Sequence, residues 1–236
     1  MKLNRSFFLV LFVALLLSIL FSCKKDVVKI DTPITPSESG TVADIDGNVY
    51  HTVKIGTQTW MVENLKTTKY NDGISIPYVT DNKIWESLVT PGYCWYNNNI
   101  GFKNPYGALY NWYAINTGKL APKGWHVPSD SEWTILVDYL GGKAIASAKL
   151  RESGTMHWTN SNTGTNETGF TALPGSNRSS SGTFFSIGLS AYWWNSSEFS
   201  TNNQTFGGFR NMGNATDIGE GSSVKQSGFS IRCVKD

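Results

Sequence analysis

The sequence predicts an α+β domain in which two main helices pack on short antiparallel strands joined by long loops. Three observations carry that expectation. Asp46-Gly47 stands between runs rich in β-branched residues, which is the turn chemistry of a tight hairpin. Ser129-Asp130-Ser131-Glu132 precedes an apolar stripe of Trp133, Leu136, Val137 and Leu140, the signature of a capped amphipathic helix. Past residue 154 the chain is polar and glycine-rich, with only short strand-like islands, and loops that long suit a binding face.

In chain order, Lys2 and Arg5 precede an apolar run over residues 7–21, closed by Ser22-Cys23-Lys24-Lys25-Asp26. The run is close to the shortest length that spans a bilayer and carries a charged start, so residues 1–22 read as a signal peptide. Leu20-Phe21-Ser22-Cys23 resembles a lipobox, which implies a diacylglycerol on the Cys23 thiol, cleavage before Cys23 and acylation of the new amine. Two or three acyl chains would hold the product on a membrane. The expected location is the cell envelope, at the outer membrane, and Lys24-Lys25-Asp26 loosely resembles a signal for export to the cell surface. Residues 23–40, with Pro33, Pro36, Ser37, Ser39 and Gly40, read as the lipidated N-terminus and a tether. Residues 41–236 read as one domain.

Removing residues 1–22 takes away the charges of Lys2 and Arg5, and the formal +2 falls to about zero. No basic tract remains, which argues against a nucleic-acid partner. Nine Trp, ten Tyr and the eight of twelve Phe that lie beyond residue 22 supply the core of a domain with many turn residues. Cys94 and Cys233 remain after lipidation. In an oxidising compartment they form a disulfide, or else they are two buried free thiols; spacing does not choose between these.

Strands are expected over residues 41–45, 49–55 and 59–65, and again over 93–96. Asp44, Asp46 and Asn48 have the first spacings of a calcium loop, but Val49 stands where glycine is required and Ile55 where glutamate is required, so no metal site is expected. Residues 106–115 place Leu109, Trp112 and Tyr113 on one helical face, stopped by Asn116-Thr117-Gly118. The capped helix that follows Ser129 ends at Gly141-Gly142, and a short third helix is expected over residues 143–151. Further strand-like islands cover residues 169–173, 191–195, 205–210 and 228–234.

The order of motifs resembles the Fibrobacter succinogenes major paralogous domain. The carriers are Thr59-Trp60-Met61-Val62-Glu63-Asn64-Leu65, Tyr106-Gly107-Ala108-Leu109-Tyr110-Asn111-Trp112, Gly124-Trp125-His126-Val127-Pro128-Ser129, Glu132-Trp133, Gly169-Phe170-Thr171-Ala172-Leu173-Pro174-Gly175, Tyr192-Trp193-Trp194 and Gly228-Phe229-Ser230-Ile231-Arg232-Cys233-Val234. They span about residues 42–236 and imply a lipid-anchored or exported envelope protein of a family with no established biochemical role. Val127-Pro128-Ser129-Asp130-Ser131-Glu132-Trp133 is also similar to the helix-opening motif of formylglycine-generating and other C-type-lectin-like domains, which implies a C-type-lectin-like fold.

Catalytic signatures are sparse. Formylglycine-generating chemistry needs a cysteine pair near the C-terminal loops, and only Cys233 stands there. His51, His126 and His157 are scattered, there is no HExxH or Gly-x-Ser-x-Gly, and Gly219-Glu220-Gly221-Ser222 lacks the ending of a phosphate loop. No cofactor is expected. Glu198, Asp217 and Glu220 keep a hydrolase open as a third function class. The first class is a non-catalytic module for a glycan or protein ligand, with Trp193, Trp194, Asn195, Glu198, Arg210 and Asn211 as candidate ligand-binding residues; the second is an envelope structural or assembly protein. Packing in the core is the competing role for Trp193 and Trp194.

Overall fold

A computed structural model describes residues 37–159, 161–185, 187–213 and 217–236. The signal peptide expected over residues 1–22, the expected lipidation site Cys23 and most of the expected tether lie outside the described residues.

The domain opens with β1 (Ser37–Ala43), β2 (Val49–Ile55) and β3 (Gln58–Met61). Gly47, at φ 79°, takes the turn conformation that favours glycine. The Asp44 carboxylate accepts the amides of Asp46 and Asn48 at 3.0 and 2.9 Å, so the acidic residues with calcium-like spacing hold a β-turn. The order continues with α1 (Asn82–Glu86), β4 (Tyr93–Cys94), 3₁₀ turns at Tyr96–Asn98 and Ile100–Phe102, and α2 (Lys103–Tyr106). Next come β5 (Leu109–Tyr110), α3 (Trp112–Ile115), β6 (Trp125–His126), α4 (Asp130–Tyr139) and α5 (Lys143–Leu150). The strands β7 (Ser190–Thr201), β8 (Gln204–Gly213), β9 (Gly219–Ser223) and β10 (Val234–Lys235) complete it. The sheets have the orders β1-β2-β3-β10-β6, β4-β5 and β7-β8-β9, and their strand pairs are antiparallel. The class is α+β.

The capping box forms as its sequence requires: Ser129 Oγ accepts the Glu132 amide, and a Glu132 carboxylate oxygen accepts the Ser129 amide at 2.7 Å. The helix expected over residues 106–115 does not form as one piece. Gly107 sits at φ 76° where a Cβ would meet the Asn64 side chain and the Leu65 carbonyl, so the chain turns there. Leu109 and Tyr110 then pair with Cys94 and Tyr93, and Asn111 caps the single turn of α3. Tertiary pairing overrides the helical period. Among the described residues the two longest helices are therefore α4 and α5.

The sheet β7-β8-β9 lies between two apolar clusters. On one face Ala191, Trp193 and Met212 meet Trp133, Leu136 and Val137 of α4. On the other, Trp194 joins Tyr50, Met61, Tyr110, Trp112 and Ile231. A smaller cluster holds Val79, Trp85, Cys94 and Leu109. Cys94 and Cys233 are both free and buried, and they belong to different clusters. Burial pushes the Cys94 thiol up to about 12 and raises Cys233 as well.

Asn64 and Arg232 knot the motifs together. The Asn64 side-chain oxygen accepts from Trp193 Nε1 at 2.9 Å and from Arg232 Nε and Nη2 at 3.1 and 2.9 Å, while its nitrogen donates to the Tyr106 carbonyl at 2.9 Å. Arg232 also donates to the carbonyls of Met61 and Phe170 and lies over the Phe170 ring at 4.4 Å. Burial presses its pKa down to about 9, which leaves it charged at neutral pH. Five of the motifs that carry the family resemblance thus meet in one buried polar knot.

Candidate functional site

The six ligand candidates chosen from the sequence fall on β7 and β8, and most face inward. Trp193 and Trp194 have no exposure, because β7 is covered on both faces. Trp193 Nε1 is committed to Asn64, and Trp194 Nε1 donates to the Tyr110 carbonyl at 2.9 Å. Asn195 lies in an irregularity of β7, where the pairing steps from Trp194↔Phe209 to Glu198↔Gly207. There it donates to Asp130 at 3.1 Å and accepts the Ser197 amide, and the Ser197 hydroxyl accepts the Asp130 amide. Arg210, 1 % exposed, donates to Asp130, Thr134 and Glu220. These two side chains fasten the start of α4 to the sheet. Glu198 is exposed but pairs with Lys225 at 3.0 Å, and the Asn211 side chain lies against Gly219. Trp193, Trp194, Asn195 and Arg210 are thus tied into the scaffold, while Glu198 is exposed and Asn211 half-buried.

A concave site opens beside them. Tyr192 and Phe209 alternate with Trp193 and Arg210 along the same strands, and so stand on the opposite face of the sheet. With Phe229 they floor a groove of 490 Å³, lined also by Asn177, Phe185, Leu189, Ser190, Ser222 and Ser223. Tyr192 and Phe229 stack at 5.2 Å with 27° between their planes, and Phe209 meets Phe229 edge-on at 5.3 Å. Phe209 lies over Gly221 of β9, where a Cβ would come within 2.8 Å of its ring, so the glycine makes room for the floor. Phe185 and Leu189 form the rim at 53 % and 47 % exposure.

The rim is held from behind by Arg178. Its guanidinium donates to the carbonyls of Val79, Thr80 and Gly182 and to the Asn82 side chain, and lies 4.3 Å over Trp85 and 4.9 Å over Phe184. The backbones of Arg178 and Gly228 pair in both directions, which sets Asn177 beside Phe229. The Tyr96 hydroxyl donates to the Phe185 carbonyl and accepts the Ile187 amide. The sequence reading missed this groove. Tyr192 and Phe229 stood in recognised motifs, but nothing local marked Phe185 or Leu189, whose exposure follows from the loop that carries them.

Comparison with known proteins gives one match. The model of the Fibrobacter succinogenes major domain family matches residues 53–235. The chain belongs to this family. No curated protein and no solved structure matches it. The matched residues thus take in the groove and the Asn64–Arg232 knot.

The remaining titratable groups lie outside the groove. His51 pairs with Glu63 at 2.6 Å and His157 with Glu152 at 2.7 Å. His126 is held between Asp236 at 2.6 Å and Glu132 at 2.7 Å. Burial lowers the His126 pKa, but hydrogen bonds to those two carboxylates outweigh it and raise the value overall. Glu220 pairs with Lys143 and Arg210, and Glu198 with Lys225. Among the described residues no three His, Cys, Asp or Glu side chains converge as a metal site, and no helix is long and apolar enough to cross a membrane.

Proposed function

We propose that the chain is a lipid-anchored protein of the bacterial cell envelope, held at the outer membrane through Cys23, and that its domain is a non-catalytic binding module for a glycan or protein ligand. The observation that supports binding is the aromatic groove, which exposes two apolar side chains on its rim beside uncharged hydrogen-bonding groups. Its described lining offers no carboxylate, imidazole or thiol for acid–base or nucleophilic chemistry. We also read the arrangement as C-type-lectin-like, on the strength of the capped α4 against the sheet, the pairing of β10 between β3 and β6, and the long loops that carry the groove.

Two experiments test this. Palmitate labelling of cells expressing the full chain is expected to mark the protein and to fail with Cys23→Ala; equal labelling of both overturns the anchor. Full chain in detergent micelles is expected to give saturable binding on a glycan or a peptide array, lost in the double variant Phe185→Ala/Leu189→Ala. No binding on either array overturns the module.

A second reading, envelope assembly, draws on β9. Its outer edge takes no backbone partner among the described residues, and Gly219-Glu220-Gly221-Ser222-Ser223 has neither lysine nor proline to guard it. Self-association in sedimentation velocity that Gly221→Pro abolishes would support assembly, and a monomer at all concentrations would refute it.

A further inference from the structure

Resting on the binding-module reading, we infer that the groove takes an uncharged saccharide segment, with a sugar ring laid against Tyr192 and Phe209 under the Phe185 rim. The chemistry of the lining selects this class. Asn177, Ser190 and Ser223 bring an amide and two hydroxyls to the lining, the Ser223 hydroxyl already sharing a hydrogen bond with Ser227 at 3.0 Å, and Tyr192 adds a phenol. Each can both donate and accept a hydrogen bond. A sugar hydroxyl has that same dual capacity, so the pairing works in either polarity.

Other ligand classes fit poorly. An anionic ligand needs a cation or converging N–H donors, and no Lys, Arg or His lines the groove among the described residues; the nearby Arg178 and Arg210 are turned away into buried hydrogen bonds. A cationic ligand finds no carboxylate there. A purely apolar chain would cover the amide and the hydroxyls without replacing their bonds to water, which penalises every group left unsatisfied. A hexose presents axial C–H groups on one face and hydroxyls at its edge, which matches an aromatic floor with polar walls. The volume of 490 Å³ lies within the range of about 300–1,000 Å³ usual for small-ligand sites, so the groove holds a short stretch of a longer chain that runs on into solvent.

The test is a glycan array probed with full chain in detergent micelles, scored separately for neutral hexose oligomers, uronic acid oligomers and glucosamine oligomers. Expected is saturable binding confined to the neutral oligomers, unchanged between about 0.05 and 0.5 M salt, over which the Debye length falls from about 14 to about 4 Å, because no charge pairing contributes. Phe185→Ala is expected to weaken it by about tenfold, as loss of one aromatic face of about 1–1.5 kcal/mol implies. Binding to the uronic acid or glucosamine oligomers that Phe185→Ala removes would overturn the neutral class and leave the module standing. Binding that appears only on the peptide array would overturn the saccharide inference while keeping the module, and no binding on any array would overturn both.

Discussion

Replacing Asn64 by Ala should cost more stability than replacing the larger, charged Arg232 by Met. Asn64→Ala removes the oxygen that accepts from Trp193 and twice from Arg232. The guanidinium stays buried with the carbonyls of Met61 and Phe170, and the indole N–H loses its partner. Breaking one side of a buried charged network costs about 3–5 kcal/mol, and we expect about 4. Arg232→Met removes the charge together with its need for solvation and keeps most of the packing against Phe170 and Trp193, so about 1–2 kcal/mol is expected. The double variant should fall well short of the sum, because Asn64→Ala does most of its damage by stranding Arg232. Urea unfolding followed by tryptophan fluorescence reads this directly: at about 2 kcal/mol/M, Asn64→Ala should lower the midpoint by about 2 M and Arg232→Met by less than 1 M. An Arg232→Met cost equal to that of Asn64→Ala, or additive single variants, would refute the reasoning.

Gly207→Ala should destabilise by about 3 kcal/mol, since its Cβ would stand 2.1 Å from the Trp112 ring; thermal unfolding checks this. Cys94 and Cys233 should react with a thiol reagent only after denaturation, and reaction of either in the native chain would contradict their burial. The His126 clamp predicts a pH dependence. The folded pKa of His126 is raised above its ordinary 6.5, so its contribution is fully present below about pH 6.5 and is lost as pH rises through the folded value. Glu132 is shifted the other way: burial raises it, but hydrogen bonds from Ser129 and His126 lower it overall, so its contribution is lost on acidification below about 4.5. Unfolding free energy should therefore be about 0.5–1 kcal/mol higher at pH 6 than at pH 8, a small figure because the pair is partly exposed, and His126→Gln should flatten that difference.

What was legible in the sequence was local. The Asp46-Gly47 turn, the Ser129–Glu132 capping box and the Gly141-Gly142 stop each depend on a few neighbouring residues, and the chain obeys them. What was not legible depended on distant partners. Leu109 and Tyr110 fit a helical stripe, but Tyr93 and Cys94 pair with them as a strand. Tyr192-Trp193-Trp194 reads as alternating faces, yet a strand covered on both sides buries both tryptophans and leaves Tyr192 to the groove. Arg210 and Asn195 looked available for a ligand because nothing nearby in sequence announced Asp130 as their partner. The Phe185 rim needed Arg178 and its hydrogen bonds to residues 79–82, about a hundred positions upstream.

The most direct test of the account compares Phe185→Ala with Glu198→Ala in one saccharide-binding titration of the full chain against the best neutral oligomer from the array. Both side chains are exposed and neither belongs to the core, so folding does not confound the comparison. The account predicts that Phe185→Ala weakens binding about tenfold while Glu198→Ala leaves it unchanged. Unaltered binding with Phe185→Ala and loss with Glu198→Ala would place the ligand on the outer part of β7 and contradict the groove.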